Sequence, residues 1–133
     1  MAGGVDGGVR VLLRIEGLCV FAAALFVYSN SGAAWGTFAL FFLAPDLSFF
    51  GYLAGPRVGA ASYNAAHSYV GAIGCLVASH VFALPALTSV GLIWVAHIGF
   101  DRALGYGLKY AAGFGYTHLG RIGREAAAAR SSA

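Results

Sequence analysis

Apolar residues fill most of this chain in long blocks, and polar or turn-forming residues interrupt them at only a few points. Four blocks come close to the roughly 20 residues that a membrane-crossing helix needs. They run over Val11–Tyr28, Trp35–Leu53, Val58–Val77 and Ala86–Leu104. The small polar turn SNSGAA separates the first two. The string AGPR, residues 54 to 57, divides the second from the third with glycine and proline. HVFALPALTS, residues 80 to 89, precedes the fourth, with Pro85 near a helix start. The pattern predicts an all-α protein: a four-helix transmembrane bundle over residues 11–107, after a short segment 1–10 and before a tail 108–133.

Composition strengthens that reading. Of 133 residues, 59% are hydrophobic and 10% are charged, against about 25% charged in soluble domains. A single domain of this size has too little polar material to cover itself in water. Between Glu16 and Asp101 the charged residues are Glu16, Asp46, Arg57 and Asp101 alone. The positive charges fall before the first block, in the second turn and after the fourth, all on one predicted side. By the positive-inside rule both termini are expected in the cytoplasm, N-in and C-in, with the chain in a plasma membrane. Arg10, Arg14 and the apolar run ending near Ala34 also have the outline of a secretory signal. Glu16 interrupts that outline, and three further apolar blocks follow it. The basic residues form no stripe suited to a phosphate backbone, so the expected partner is the lipid bilayer and not nucleic acid. Cys19 and Cys75 lie at different predicted depths and are expected to be free thiols.

Ionisable residues inside the blocks are the chemical signal. At about 1.5 Å per helical residue, Asp46 stands roughly 15 Å from the end marked by Arg57, and His67 about as far on the next helix. Asp101 and His97 precede Lys109 by roughly 12 and 18 Å on the same measure. Glu16 lies a turn inside the first block. Every predicted span therefore brings an ionisable group to one half of the bilayer. His97 and Asp101 are i, i+4 and share a helix face. Pro45 lacks an N–H and permits a kink just before Asp46. Charges inside a membrane cost at least ~2.5–3.5 kcal/mol each, so they are expected to face inward and find partners. A shell of Asp46, His67, His97, Asp101 and Glu16 suits a divalent zinc, manganese or iron ion. Tyr63, Asn64 and Arg102 are placed to support it from behind. Alone, His67 reads as a structural donor, and Glu16 also reads as a helix-end group pairing with Arg14 or Arg102. His80 and His118 fall outside the cluster and are expected at surface positions. Gly99, Ala103 and Gly107 form a small-residue stripe for close helix packing, within the bundle or across a homodimer.

Three strings, RIEGLCVF at 14–21, APDLSFFGYLAGPRVGAASYNAAHSY at 44–69 and WVAHIGFDRALGYGLKYAAGFGYTHLGR at 94–121, resemble the small bacterial membrane proteins of domain of unknown function 4260. The resemblance implies a multi-span membrane protein and brings no activity with it. On the residues alone, the leading expectation is a metal-binding membrane protein, with a metal-dependent hydrolase as its catalytic form. A proton-coupled small-cation transporter, with a relay through Glu16, Asp46 and Asp101, is one alternative. A b-type haem protein with His67 and His97 as axial ligands is another. The sequence carries no HExxH, no serine-nucleophile motif and no glycine-rich phosphate loop, which leaves the reaction class open.

Overall fold

A computed structural model describes residues 4–111 and 114–132. The described chain is mostly helical. Helix α1 (Gly7–Ser29) and the short α2 (Trp35–Phe41) lead into a 3-10 helix over Ala44–Ala54. Then follow α3 (Pro56–His67), α4 (Tyr69–Val81) and α5 (Pro85–Leu104). A two-residue hairpin, β1 (Tyr116–Thr117) with β2 (Gly120–Arg121), pairs antiparallel with Tyr116 opposite Arg121. Helix α6 (Gly123–Ser131) comes after it.

Helix α5 is the centre of the molecule: Leu92, Ile93, Ala96, His97, Ile98 and Gly99 are all buried in it. It packs on α1 at very close range through two glycines. A methyl group added at Gly99 would lie 2.8 Å from the Gly17 carbonyl oxygen, and one at Gly17 would lie 2.9 Å from the Gly99 carbonyl oxygen. Farther along, Tyr28 is fully buried against Leu92 and Ile93, and its hydroxyl donates to the Ala34 carbonyl at 2.6 Å. Helix α5 stops at Leu104 because Gly105 takes a left-handed conformation (φ 96°). The Tyr106 N–H then bonds back to the Asp101 carbonyl at 2.8 Å, satisfying a helix-end acceptor.

The outer surface is apolar: Phe26, Leu40, Phe50, Leu53, Val70 and Phe82 are 69–86% exposed. Two stretches, Gly7–Ser29 and Trp35–Ala54, are long and apolar enough to cross a membrane. Of the four spans expected from the sequence, these two meet that measure, and three of the four depart from a single uninterrupted apolar α-helix. The second stretch is not one α-helix; α geometry ends at Phe41, ahead of Pro45, and resumes as a 3-10 helix. The fourth has the length, 20 residues, but His97, Asp101 and Arg102 dilute its apolar character. The third is cut in two at Ser68, whose backbone is extended (ψ 152°).

That cut has a visible cause. Helix continuation would bond the Ala66 and His67 carbonyls to amides in the next turn. Instead the Trp94 indole N–H donates to the Ala66 carbonyl at 2.5 Å, and the Arg102 guanidinium donates to the His67 carbonyl at 3.2 Å. Both donors come from α5, so freed backbone acceptors stay satisfied without water.

Described residues after α5 are tied back to the helical body. Asn64 grips the Lys109 backbone at both ends, accepting from its N–H at 2.6 Å and donating to its carbonyl at 2.8 Å. The Val5 N–H donates to the His118 carbonyl at 3.0 Å, and Leu119 is fully buried. Residues 108–110 and 116–121 thus lie against one end of the helical body. The start of α1, the end of α5 and this cap share that end, which gathers most of the positive charge.

Candidate metal centre

Four of the five expected ligands meet. Asp46 sits in the first turn of the 3-10 helix, directly after Pro45. His67 is the last residue of α3, at the cut. His97 and Asp101 lie one turn apart on α5. Their ligating atoms all fall within 4.8 Å of one another. The two histidine Nε2 atoms are 3.1 Å apart. His67 Nε2 lies 3.2 Å from Asp46 Oδ1 and 3.4 Å from Asp101 Oδ2. His97 Nε2 lies 3.3 Å from each of the same two oxygens. Four ligands about 2.0–2.1 Å from a common ion, at tetrahedral angles, would be separated by about 3.3–3.4 Å. The five contacts, at 3.1–3.4 Å, lie at or just under that edge length.

Proton counting leaves the cluster short of donors on its own. The His67 Nδ1–H donates to the Tyr63 carbonyl at 2.9 Å, so a neutral His67 turns a bare Nε2 lone pair toward the centre. Two carboxylate oxygens and a second imidazole nitrogen face that lone pair. His97 Nδ1 is buried with no hydrogen bond of its own. With Nδ1 unpartnered, His97 can carry its proton on Nε2, yet that one N–H can serve only one of the three acceptors facing it, whereas a cation among the four groups serves them all. Two carboxylates, two neutral imidazoles and one divalent ion also sum to zero charge, the least costly state in an apolar interior.

The surroundings hold the rings in place. The Tyr63 ring stacks on His67 with centroids 3.8 Å apart and planes 7° from parallel. Phe42 meets His97 edge-on at 5.4 Å. Neither Phe42 nor Trp94 was singled out by the sequence, because an aromatic in an apolar block carries no distinguishing signal. His67 and His97 are nearly inaccessible, but the Asp46 side chain keeps 36% of its surface. An apolar cleft of about 280 Å³ runs beside the centre. Its walls include Pro45 and Ala66, the residues just before Asp46 and His67, together with Phe41, Ser48, Ile93 and Trp94.

The remaining expected residues fall elsewhere. Glu16 is exposed on α1 and is not part of the four-residue group. Arg102 reaches the His67 carbonyl and not the carboxylates; among the described residues, the ion-pair contacts of Asp46 and Asp101 are with the two histidines. Asn64 serves the cap. Gly99 is packed against α1, and Gly107 lies under His118, so those two glycines of the stripe are occupied within the chain. His118 is half-buried and partnered: its Nδ1 accepts the Leu108 N–H at 2.8 Å, and its Nε2 stands 3.2 Å from Arg102. Burial and the Arg102 charge push its pKa below the usual histidine value. Cys19 and Cys75 are free, as expected, and His80 is exposed.

A helical chain with a compact Asp–His–His–Asp cluster is the class that this geometry defines. Within it, the chain belongs to the family described as Domain of unknown function (DUF4260), matched over residues 10–122. That match takes in all four cluster residues and the hairpin. No curated protein and no solved structure matches the chain.

Proposed function

We propose that this chain is a small multi-span membrane protein in which Asp46, His67, His97 and Asp101 hold one divalent transition-metal ion, zinc, manganese or iron. The observation that carries the reading is the set of five ligand-to-ligand contacts of 3.1–3.4 Å, drawn from three separate elements. The membrane part rests on the two spanning-length helices and the apolar exterior. The α3–α4 pair and α5 complete four crossings, with the charged end in the cytoplasm.

We further propose a hydrolytic role on a lipid-soluble or interfacial substrate. A bound divalent ion of this kind lowers the pKa of water and polarises an acyl or phosphoryl oxygen. Asp46 is the most accessible of the four, so it is the residue that opens the centre to substrate and accepts a proton there. The adjoining cleft supplies an apolar wall for a hydrocarbon portion. Haem does not suit the same histidines. Axial nitrogens on either side of an iron stand roughly 4 Å apart, from metal–nitrogen bonds of about 2 Å, and no porphyrin plane passes between nitrogens at 3.1 Å. Of the transporter relay, Asp46 and Asp101 meet in the same cluster and Glu16 stands apart from it.

Elemental analysis of detergent-purified protein tests the centre, with wild type beside His97→Ala and Asp46→Ala. One metal per chain in wild type, lost in both variants, is the expected result. Wild type that carries none after growth in metal-replete medium, and takes up none when it is added, refutes the reading.

A further inference from the structure

A second and larger cavity, of about 600 Å³, opens at the charged end of the molecule. Arg10 of α1, Arg121 of β2 and Arg130 of α6 all line it. Arg14 stands close by: a methyl group placed at Gly105 would lie 3.7 Å from both Arg10 Nη2 and Arg14 Nε. Guanidinium groups brought this near one another repel. Among the described residues none of these arginines makes an ion pair with a carboxylate; the ion pairs found all belong to the metal centre.

Two features show that the arrangement is built and not incidental. The Nε of Arg10 is buried and has no hydrogen-bond partner. This guanidinium lies against the hairpin, where a methyl group placed at Gly120 would be in van der Waals contact with Arg10 Cζ at 3.4 Å. Helix α6 turns one face to the cavity, with Gly123, Ala126 and Arg130 at i, i+3 and i+7. Its first turn, whose backbone N–H groups lack helical acceptors, is part of the wall.

We propose that this cavity binds a phosphate group, carried by an anionic phospholipid headgroup or present as the free anion. Guanidinium forks match phosphate oxygens in pairs, and a bound phosphate supplies the negative charge that the arginines lack. The site is separate from the metal centre and does not depend on it.

Thermal unfolding of the full-length protein tests the proposal in two arms. In neutral detergent, inorganic phosphate is titrated at constant ionic strength. In lipid discs, phosphatidylcholine alone is compared with phosphatidylcholine containing phosphatidylglycerol. A rise in Tm with inorganic phosphate assigns the free anion; a rise only with phosphatidylglycerol assigns the headgroup. Arg121 and Arg130 are both exposed, so the double variant Arg121→Lys with Arg130→Lys keeps the charge and leaves the fold untouched. It is expected to weaken the response by about tenfold or more, because it removes the forks. Arg10→Lys is expected to do the same from the opposite wall. No rise in either arm, or a rise that both lysine variants keep in full, overturns the proposal.

Discussion

The cut at Ser68 gives the sharpest test of how the fold positions the centre. Trp94→Phe keeps an aromatic ring and removes the indole N–H that serves the Ala66 carbonyl at 2.5 Å. Helix continuation is the other way to satisfy that carbonyl, and the cut forbids it. A buried acceptor left without a donor costs about 1–3 kcal/mol. For a chain of this length that is a fall in Tm of several degrees. The functional consequence follows from chain order: Ala66 directly precedes the ligand His67, whose own carbonyl is held by Arg102 from the same helix. Loosening one of these two anchors gives the ligand freedom, and losses of supporting contacts around metal ligands typically weaken affinity by ~10–100-fold. The assay is a competition titration of zinc against a fluorescent chelator, run beside thermal unfolding. Loss of ring packing lowers stability alone, so affinity is the deciding readout. A Trp94→Phe protein that melts lower but binds zinc as tightly as wild type would refute the idea that the cut places His67.

Four further outcomes are expected. Stripping the metal with a chelator should lower Tm, since an ion at 100 times its Kd adds about 2.7 kcal/mol; identical melting with and without chelator in metal-loaded wild type would contradict the centre. Gly17→Ala and Gly99→Ala should each destabilise by about 1–3 kcal/mol by forcing α1 off α5, yet leave metal stoichiometry intact, because α1 supplies no ligand. Lowering the pH below about 6.5 should destabilise the protein partly through His118, whose folded pKa is depressed so that the unfolded chain takes up the proton first. His118→Asn, which offers an acceptor in place of Nδ1, should show a shallower loss of Tm between neutral and acid pH. Ala83, at φ 50° in the turn before α5, pays for a left-handed backbone, and Ala83→Gly should raise stability by up to about 1 kcal/mol; a lower Tm would count against that turn.

What was legible in the sequence was residue type and depth; what was not was rotation about each helix and the source of tertiary donors. Asp46, His67, His97 and Asp101 were identifiable because an ionisable group inside an apolar run is costly enough to demand a reason. Glu16 met the same criterion and failed, because depth along α1 says nothing about which way its side chain faces. The cut after His67 left no trace in hydropathy, since neither glycine nor proline marks it. Its cause lies in Trp94 and Arg102, 28 and 35 residues from the carbonyls they serve. The hairpin was invisible for a related reason: strands of two residues have no period to detect. The Gly99 stripe was legible as a packing device, and the alternative that it joins two copies loses ground to the Gly17 contact.

Charge balance explains why four residues assemble here and the fifth does not. In the proposed centre two carboxylates would neutralise a divalent ion, and two neutral imidazoles would complete its shell without adding charge. A third carboxylate at the same point would leave a net negative centre beside His67 and His97, both almost wholly shielded from solvent, and among the described residues no arginine lies within ion-pair distance of the cluster to offset it. Glu16 on the outer face of α1 avoids that cost. The same reasoning predicts selectivity. A monovalent ion would leave the centre negative and a trivalent ion would leave it positive, so both are disfavoured by desolvation before any question of size arises. Among divalent ions, the two nitrogen donors disfavour calcium and magnesium, which seek oxygen. Competition of zinc, manganese and ferrous iron against calcium for the purified protein should therefore leave calcium unbound, and a calcium-loaded centre would show that charge, and not donor chemistry, governs the site.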